Sequence, residues 1–372
     1  MHAPELTGVR SMSLRVISRR ASRLSLVACA FALVTIVSAC SSNGTKAAVT
    51  PGAPTSTASA TPTATPKPIE KVRFMAGFAP QANLPFVAVY VAQEKGYFAE
   101  ERLEVDIRHA SGADEHLKLL LNKDVDFITA SASQALRRSI EGLPTTAIAL
   151  FGQRGDQGFV VRADSGIKTP ADFKGRTVGF KAGIVPAELE GMLKSVGLTR
   201  NDVKLVSVGF DPREFIEKKV DVYPVFLSNE PDTIRKAGVP ITVFDPHDYN
   251  VATLGLTYLA HTDTVKQRSD VTERFLRATL RATKWIEANP DAAIEITLKY
   301  AKGAEPTHQR FLLGVDLDNA KRADGIGRGD AKDWQGLADL LTGYKVLPKQ
   351  MDAKQAYDFS IVDRLYQSGQ IK

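Results

Sequence analysis

Between Phe78 and Tyr90 the chain collects side chains suited to a flat ring. Phe78, Phe86 and Tyr90 offer faces for stacking, and Gln81 and Asn83 offer donors and acceptors for ring edges. Phe86 and Tyr90 also stand at i, i+4 spacing, so a buried helix face is their alternative role. Farther along, Tyr223 lies on a candidate strand that runs into Ser228-Asn229-Glu230-Pro231. A carboxylate at Glu230 would accept hydrogen bonds from ring N–H or amino groups, which nitrate or a sulfonate cannot donate. Its alternative role is an acid at a helix N-terminus. Ser131 and Ser133 follow another strand, as helix N-caps or as ligand-bonding hydroxyls. In Lys181-Ala182-Gly183, ahead of Pro186 and a helix, free backbone N–H groups around Gly183 could receive an anionic or carbonyl oxygen. Tyr249, beside Asn250 and just before a later strand, completes the candidates.

Other chemistries lack their signatures. His2, His109, His116, His247, His261 and His308 show no metal-ligand spacing and no HExxH pair. GxSxG and Walker A patterns are absent. Asp316 and Asp318 lack the remaining ligands of a calcium loop. Gly325-Ile326-Gly327-Arg328-Gly329 has no strand before it and reads as a loop. No catalytic residue, metal or cofactor is expected.

The elements that must position these residues are short β-branched or aromatic runs alternating with amphipathic stretches. Strands are predicted at Val72–Gly77, Glu104–His109, Val125–Thr129, Thr146–Phe151, Gln157–Ala163, Thr177–Phe180, Val203–Val208, Val220–Leu227, Pro240–Phe244 and Leu254–Ala260. Helices separate most of them, which predicts an α/β fold with mostly parallel sheet. Val87–Lys95 stops at Gly96, and Ala187–Val196 starts after Pro186 and stops at Gly197. In Asp270–Ala288, the residues Val271, Phe275, Ala278, Ala282 and Trp285 recur at helical spacing as one buried face. Beyond Ala260 nearly everything reads as helix.

The chain has 48 Lys+Arg and 42 Asp+Glu, a formal +6, which raises the question of nucleic acid. Five of the arginines (Arg10, Arg15, Arg19, Arg20, Arg23) and the single acid Glu5 fall in residues 1–39. Without that segment 43 basic and 41 acidic residues remain, a formal +2. The arginines precede an apolar run, Leu24–Val37, of signal-peptide length. It ends Val37-Ser38-Ala39-Cys40. Cys29 lies inside the run, so cleavage would leave Cys40 alone, without an intrachain disulfide partner. Residues 41–70 hold five Pro and seven Thr and little that is apolar, a composition that cannot offset chain entropy. Met12 is an alternative start. No nucleic-acid partner is expected.

Two resemblances follow from these residues. Val37-Ser38-Ala39-Cys40 resembles the lipobox of bacterial lipoproteins. That implies a signal peptide over 1–39, lipidation of Cys40, a disordered Thr/Pro linker over 40–70, and an extracytoplasmic, lipid-anchored location at the cell membrane. The order GFAPQANLPFVAVYVAQEKGYFAEERLEV (77–105), DFITASASQAL, IKTPADFKGRTVGFKAG (167–183), VDVYPVFLSNEPDTIRKAG (220–238) and DYNVATLGLTYLA (248–260) resembles the solute-binding proteins of ABC importers. It is most similar to the branch of thiamin-pyrimidine, riboflavin and alkylsulfonate binders. The resemblance implies a periplasmic-binding-protein-like type II fold, with two α/β lobes joined by two crossover strands. The lobes are expected at 71–162 with 261–372 and at 163–260. It also implies an ABC permease with its ATPase as partners and a small heterocycle as cargo. Within it, Asn229-Glu230-Pro231 matches the family's ligand-facing NEP. Arg102 stands where the family has Gly, and no His follows the first strand, where thiamin-pyrimidine binders carry one. Riboflavin is therefore the expected ligand, with a thiamin pyrimidine precursor (formylaminopyrimidine or hydroxymethylpyrimidine) as the alternative and an alkylsulfonate third. A pyrimidine-synthesising enzyme would need that His and a Cys-rich motif, so no enzyme is expected.

Overall fold

A computed structural model describes residues 68–371 except 112–113, 182–184 and 252. The expected signal peptide, Cys40 and nearly all of the linker lie outside the described residues, as does Gly183. The ten strands are β1 (Glu70–Ala76), β2 (Leu103–His109), β3 (Phe127–Ser131), β4 (Thr145–Leu150), β5 (Gln157–Arg162), β6 (Thr177–Phe180), β7 (Lys204–Ser207), β8 (Val222–Phe226), β9 (Ile241–Phe244) and β10 (Leu256–His261). They form two sheets of five, ordered β2-β1-β3-β10-β4 and β7-β6-β8-β5-β9.

The two sheets share one plan. β2, β1 and β3 run parallel, and β10 then pairs antiparallel with both β3 and β4. Likewise β7, β6 and β8 are parallel, and β5 opposes both β8 and β9. The expectation of a mostly parallel sheet is thus corrected. Half the pairings are antiparallel, because each strand that carries the chain between lobes is inserted into the sheet of the lobe it enters. The lobe boundaries move for the same reason. β5 hydrogen-bonds only in the second sheet and β10 only in the first, so the crossings lie at 151–156 and 251–256, not at 162/163 and 260/261.

Lobe 1 is held by an aromatic hub. Phe275, on the helix Ser269–Ala288, stacks on Phe127 of β3 at 4.3 Å and on Phe98 at 5.7 Å. The predicted face of that helix is buried at Val271, Phe275, Ala278 and Ala282. Trp285 sits at its edge, with the Lys95 ammonium 4.4 Å from its ring. Arg102, where the resembled family has glycine, takes a left-handed φ of 57°, a conformation that costs a residue with a Cβ more than glycine.

The crossings touch backbone to backbone. Phe151 N donates to Leu256 O at 2.8 Å, Gly255 N to Gly152 O at 2.9 Å, and Gly155 N to Thr253 O at 3.1 Å. A Cβ on Gly152 would lie 2.6 Å from Gly255 Cα, so only glycine permits this approach. Gly152→Ala is expected to lose about 1–3 kcal/mol through overpacking. Gly314→Ala, on the helix Pro306–Ala320 with open space around it, is expected to gain up to about 1 kcal/mol. Thermal melts of the two variants check this, and a Gly152→Ala protein melting at or above the parent temperature would refute the tight crossing.

Candidate functional site

In open α/β sheets ligands lie outside the carboxyl ends of the strands. In lobe 1, β1 leads into Gly77, whose N–H donates to Thr129 Oγ1 at 2.7 Å. A Cβ there would lie 2.6 Å from the Thr129 carbonyl oxygen, which is why the turn needs glycine. Phe78 follows with 59% of its surface exposed. Gln81 Nε2 donates to Asn83 Oδ1 at 2.5 Å, and Asn83 Nδ2 to Asp316 Oδ2 at 3.1 Å. Leu84 N reaches the same carboxylate oxygen at 2.9 Å, and Ala82 N donates to Gln309 Oε1 at 2.7 Å. The loop after β1 is thus fastened to the helix Pro306–Ala320. At the end of β3, Ser131 caps the helix Ala132–Ile140 through a reciprocal box with Gln134. Ser133 is half-buried in its first turn.

The lobe-2 wall is aromatic. Phe210, after β7, is 60% exposed, and Phe226, ending β8, is 37% exposed. Behind them the buried Lys181 ammonium lies 5.1–5.4 Å from the ring centroids of Tyr223, Phe226 and Phe210. It is ion-paired with the buried Glu230, whose Oε2 accepts the Phe226 N–H at 2.7 Å. Burial pulls the Lys181 pKa down, and the adjacent Glu230 opposes that shift.

At the crossings a small cavity carries two carboxylates. The cavity at the crossings is lined by Asn83, Phe151, Asp156, Gly255, Asp316 and Asn319 among others. Its volume of about 20 Å³ holds about one water, not a ring. Asp156 accepts from Ser228 N at 3.0 Å and from Ser228 Oγ at 2.7 Å. Burial first, and then the Asp316 charge, pushes Asp156 up to about 8. Burial likewise raises Asp316 to about 6, against the hydrogen bonds from Leu84 and Asn83. Two acids that resist joint ionisation keep a proton between them at neutral pH, so the pair can both accept and donate a hydrogen bond. Among the described residues no group of three or more His, Cys, Asp or Glu could hold a metal ion.

The structure therefore brings Phe78, Gln81, Asn83 and the serines to the lobe-1 side and sends other candidates elsewhere. Phe86 and Tyr90 are core residues, because the helix Leu84–Glu94 turns that face inward. Tyr90 stacks on Tyr300 at 4.2 Å, and its hydroxyl meets His109 Nε2 at 2.5 Å. Tyr223 is buried and donates to the Gly209 carbonyl at 2.8 Å, supporting the wall from behind. Tyr249 is half-buried against Phe244 in the lobe-2 core. Asn229 and Glu230 do not face open solvent. The His308 ring bridges Asn229 Oδ1 at 2.9 Å and Asp232 Oδ2 at 2.8 Å, joining the lobes, and Glu230 is enclosed with Lys181. Sequence reasoning missed Phe210, Phe226, Asp156 and Asp316. The available signal was position, since Phe210 and Phe226 stand at the carboxyl ends of predicted strands.

Two predictions follow from the electrostatics. Glu230→Ala strands a buried ammonium and is expected to cost about 3–5 kcal/mol, read as a large fall in melting temperature. Unchanged melting would show that the pair is not buried in solution. Asp316 has a raised folded pKa, so its destabilisation is absent below the unfolded value near 4, grows as pH rises through about 6, and is full above that. Asp316→Asn keeps an acceptor for Leu84 N and Asn83. Its melting temperature is expected to exceed the parent's by at least about 2–4 °C at pH 8 and to converge with it at pH 4. A gap independent of pH would refute this.

Comparison with known proteins agrees with this architecture. Riboflavin-binding protein RibY of Chloroflexus aurantiacus is 27% identical over 343 residues, covering 87% of this chain and 94% of that one. Formylaminopyrimidine-binding protein of Halalkalibacterium halodurans is 27% identical over 305 residues, covering 79% and 91%. The solved periplasmic aliphatic sulphonate binding protein SsuA of Escherichia coli superposes with a TM-score of 0.63 at 17% identity, covering 77% and 91%, so the fold is that of periplasmic binding proteins. The profile of the family described as NMT1/THI5 like matches residues 83–293, more than half of the chain, and the protein belongs to that family.

Proposed function

We propose that the protein is the substrate-binding component of an ABC importer, anchored by a lipid on Cys40 at the extracytoplasmic face of the membrane, and that it captures riboflavin for the permease and its ATPase. The observation that carries the reading is the set of exposed aromatics following strands of both lobes, together with the acid pair at the crossings that join them. Phe78 on one lobe and Phe210 and Phe226 on the other suit a flat ring held between the lobes. Asp156 and Asp316 suit ring N–H or ribityl O–H donors. A ligand touching both lobes favours the closed form, with motion taken up at the Gly152–Gly255 crossing.

The acidic floor also separates this reading from its rivals. An alkylsulfonate needs convergent cations or N–H donors, and the likeness to SsuA extends to the fold alone. A formylaminopyrimidine remains the second reading, because its exocyclic amino group also donates to carboxylates and the relative of that name covers most of this chain. Synthesis of a pyrimidine is disfavoured by the lack of cysteine after Cys40 and by the aromatic, non-nucleophilic walls. The lipid anchor is proposed from Val37-Ser38-Ala39-Cys40.

Riboflavin fluorescence should be quenched on titration with the protein. Phe210→Ala and Phe226→Ala should each weaken binding by about tenfold, the order of one lost aromatic stack. Calorimetric binding of formylaminopyrimidine without any quenching of riboflavin would replace the first reading by the second.

A further inference from the structure

We infer that Asp156 and Asp316 act together as a charge filter, so that the cleft accepts the unphosphorylated alcohol of its heterocycle and rejects the phosphate ester. The inference rests on the heterocycle-binding reading and assigns it a specificity determinant. Each lobe supplies one carboxylate and fixes it independently. Asp156 is tied to lobe 2 through both the N–H and the hydroxyl of Ser228, and Asp316 to lobe 1 through Asn83 and Leu84 N. Both line the same cavity at the crossings.

The aromatic wall adjoins this floor. Phe226 is the ladder partner of Gln157, and Leu227 N donates to the Asp156 carbonyl at 2.7 Å. Phe226 is thus two residues from Ser228, which holds the Asp156 carboxylate. Cations on the neighbouring segments are already engaged. Lys181 pairs with Glu230, Arg154 lies 3.7 Å from Asp245, and Arg322 pairs with Asp324 and Asp330. Asn83 has its amide N–H on Asp316 and its oxygen on Gln81. Glu230 and Lys181 both act on Asp156, and as an ion pair they largely offset each other there, so the field at the floor is set by the two acids. These two acids already oppose each other's ionisation, and a phosphate monoester would add a charge of about −1.5 to −2 at pH 7.

The test titrates the purified protein with two pairs, riboflavin and its 5′-phosphate, and hydroxymethylaminopyrimidine and its phosphate. For the pair whose alcohol binds, the phosphate should bind at least about 30-fold more weakly, since like-charge juxtaposition is heavily penalised. Asp316→Asn should narrow that ratio to within about fivefold, and Asp156→Asn provides a second variant for the same ratio. The neutral acetate ester of the same alcohol should bind nearly as well as the alcohol. Equal binding of alcohol and phosphate, rejection of acetate and phosphate alike, or a ratio unmoved in both variants would overturn the filter while leaving the function intact. If neither alcohol binds, the function and the filter fall together.

Discussion

Asp156 is bound to Ser228 of lobe 2, and Asp316 is bound to Asn83 and to the start of the helix Leu84–Glu94 in lobe 1. Neither carboxylate can turn away from the other without giving up those bonds. They meet where the two crossings pass at Gly152 and Gly255. A low-dielectric setting makes joint ionisation of the two costly, and the proposed charge filter builds on that cost. The loop after β1 is pinned so that Phe78 stays exposed, and the turn after β8 is pinned so that Phe226 ends its strand at the rim.

Lobe 2 meets the complementary problem, a cation behind an apolar wall. Lys181 is buried among Tyr223, Phe226 and Phe210, and Glu230 balances it while also accepting the Phe226 N–H. The ion pair keeps the charge away from the cleft surface and holds the aromatic wall in place. The Ser228-Asn229-Glu230-Pro231-Asp232 segment consequently performs structural tasks residue by residue. Ser228 holds Asp156, Asn229 and Asp232 hold His308 across the lobe boundary, and Glu230 holds Lys181.

Much of this was legible in the sequence. All ten strands appear within a few residues of the β-branched and aromatic runs that predicted them, since glycine, proline and polar turns bracket those runs. Pairing direction was not legible, because β5 and β10 look like their neighbours until the partner strands are known. Phe78, Gln81 and Asn83 could be found because they follow one strand directly. Asp316 was set aside because local spacing offered it no calcium loop, and its role comes from Asp156, far away in sequence. Glu230 was read as ligand-facing because its neutralising lysine stands 49 residues earlier. Phe86 and Tyr90 show the limit of i, i+4 reasoning, which gives a shared face but not what that face meets.

In the proposed complex a flat, uncharged donor ligand sits between the aromatic walls with its polar groups on the acid pair. A crystal structure of the protein grown with riboflavin tests it most directly. The expected result is the ring between Phe78 and the Phe210–Phe226 wall, with a ligand N–H or O–H within hydrogen-bond distance of Asp156 or Asp316. A ligand bound elsewhere, or one in the cleft that leaves both carboxylates untouched, would contradict it.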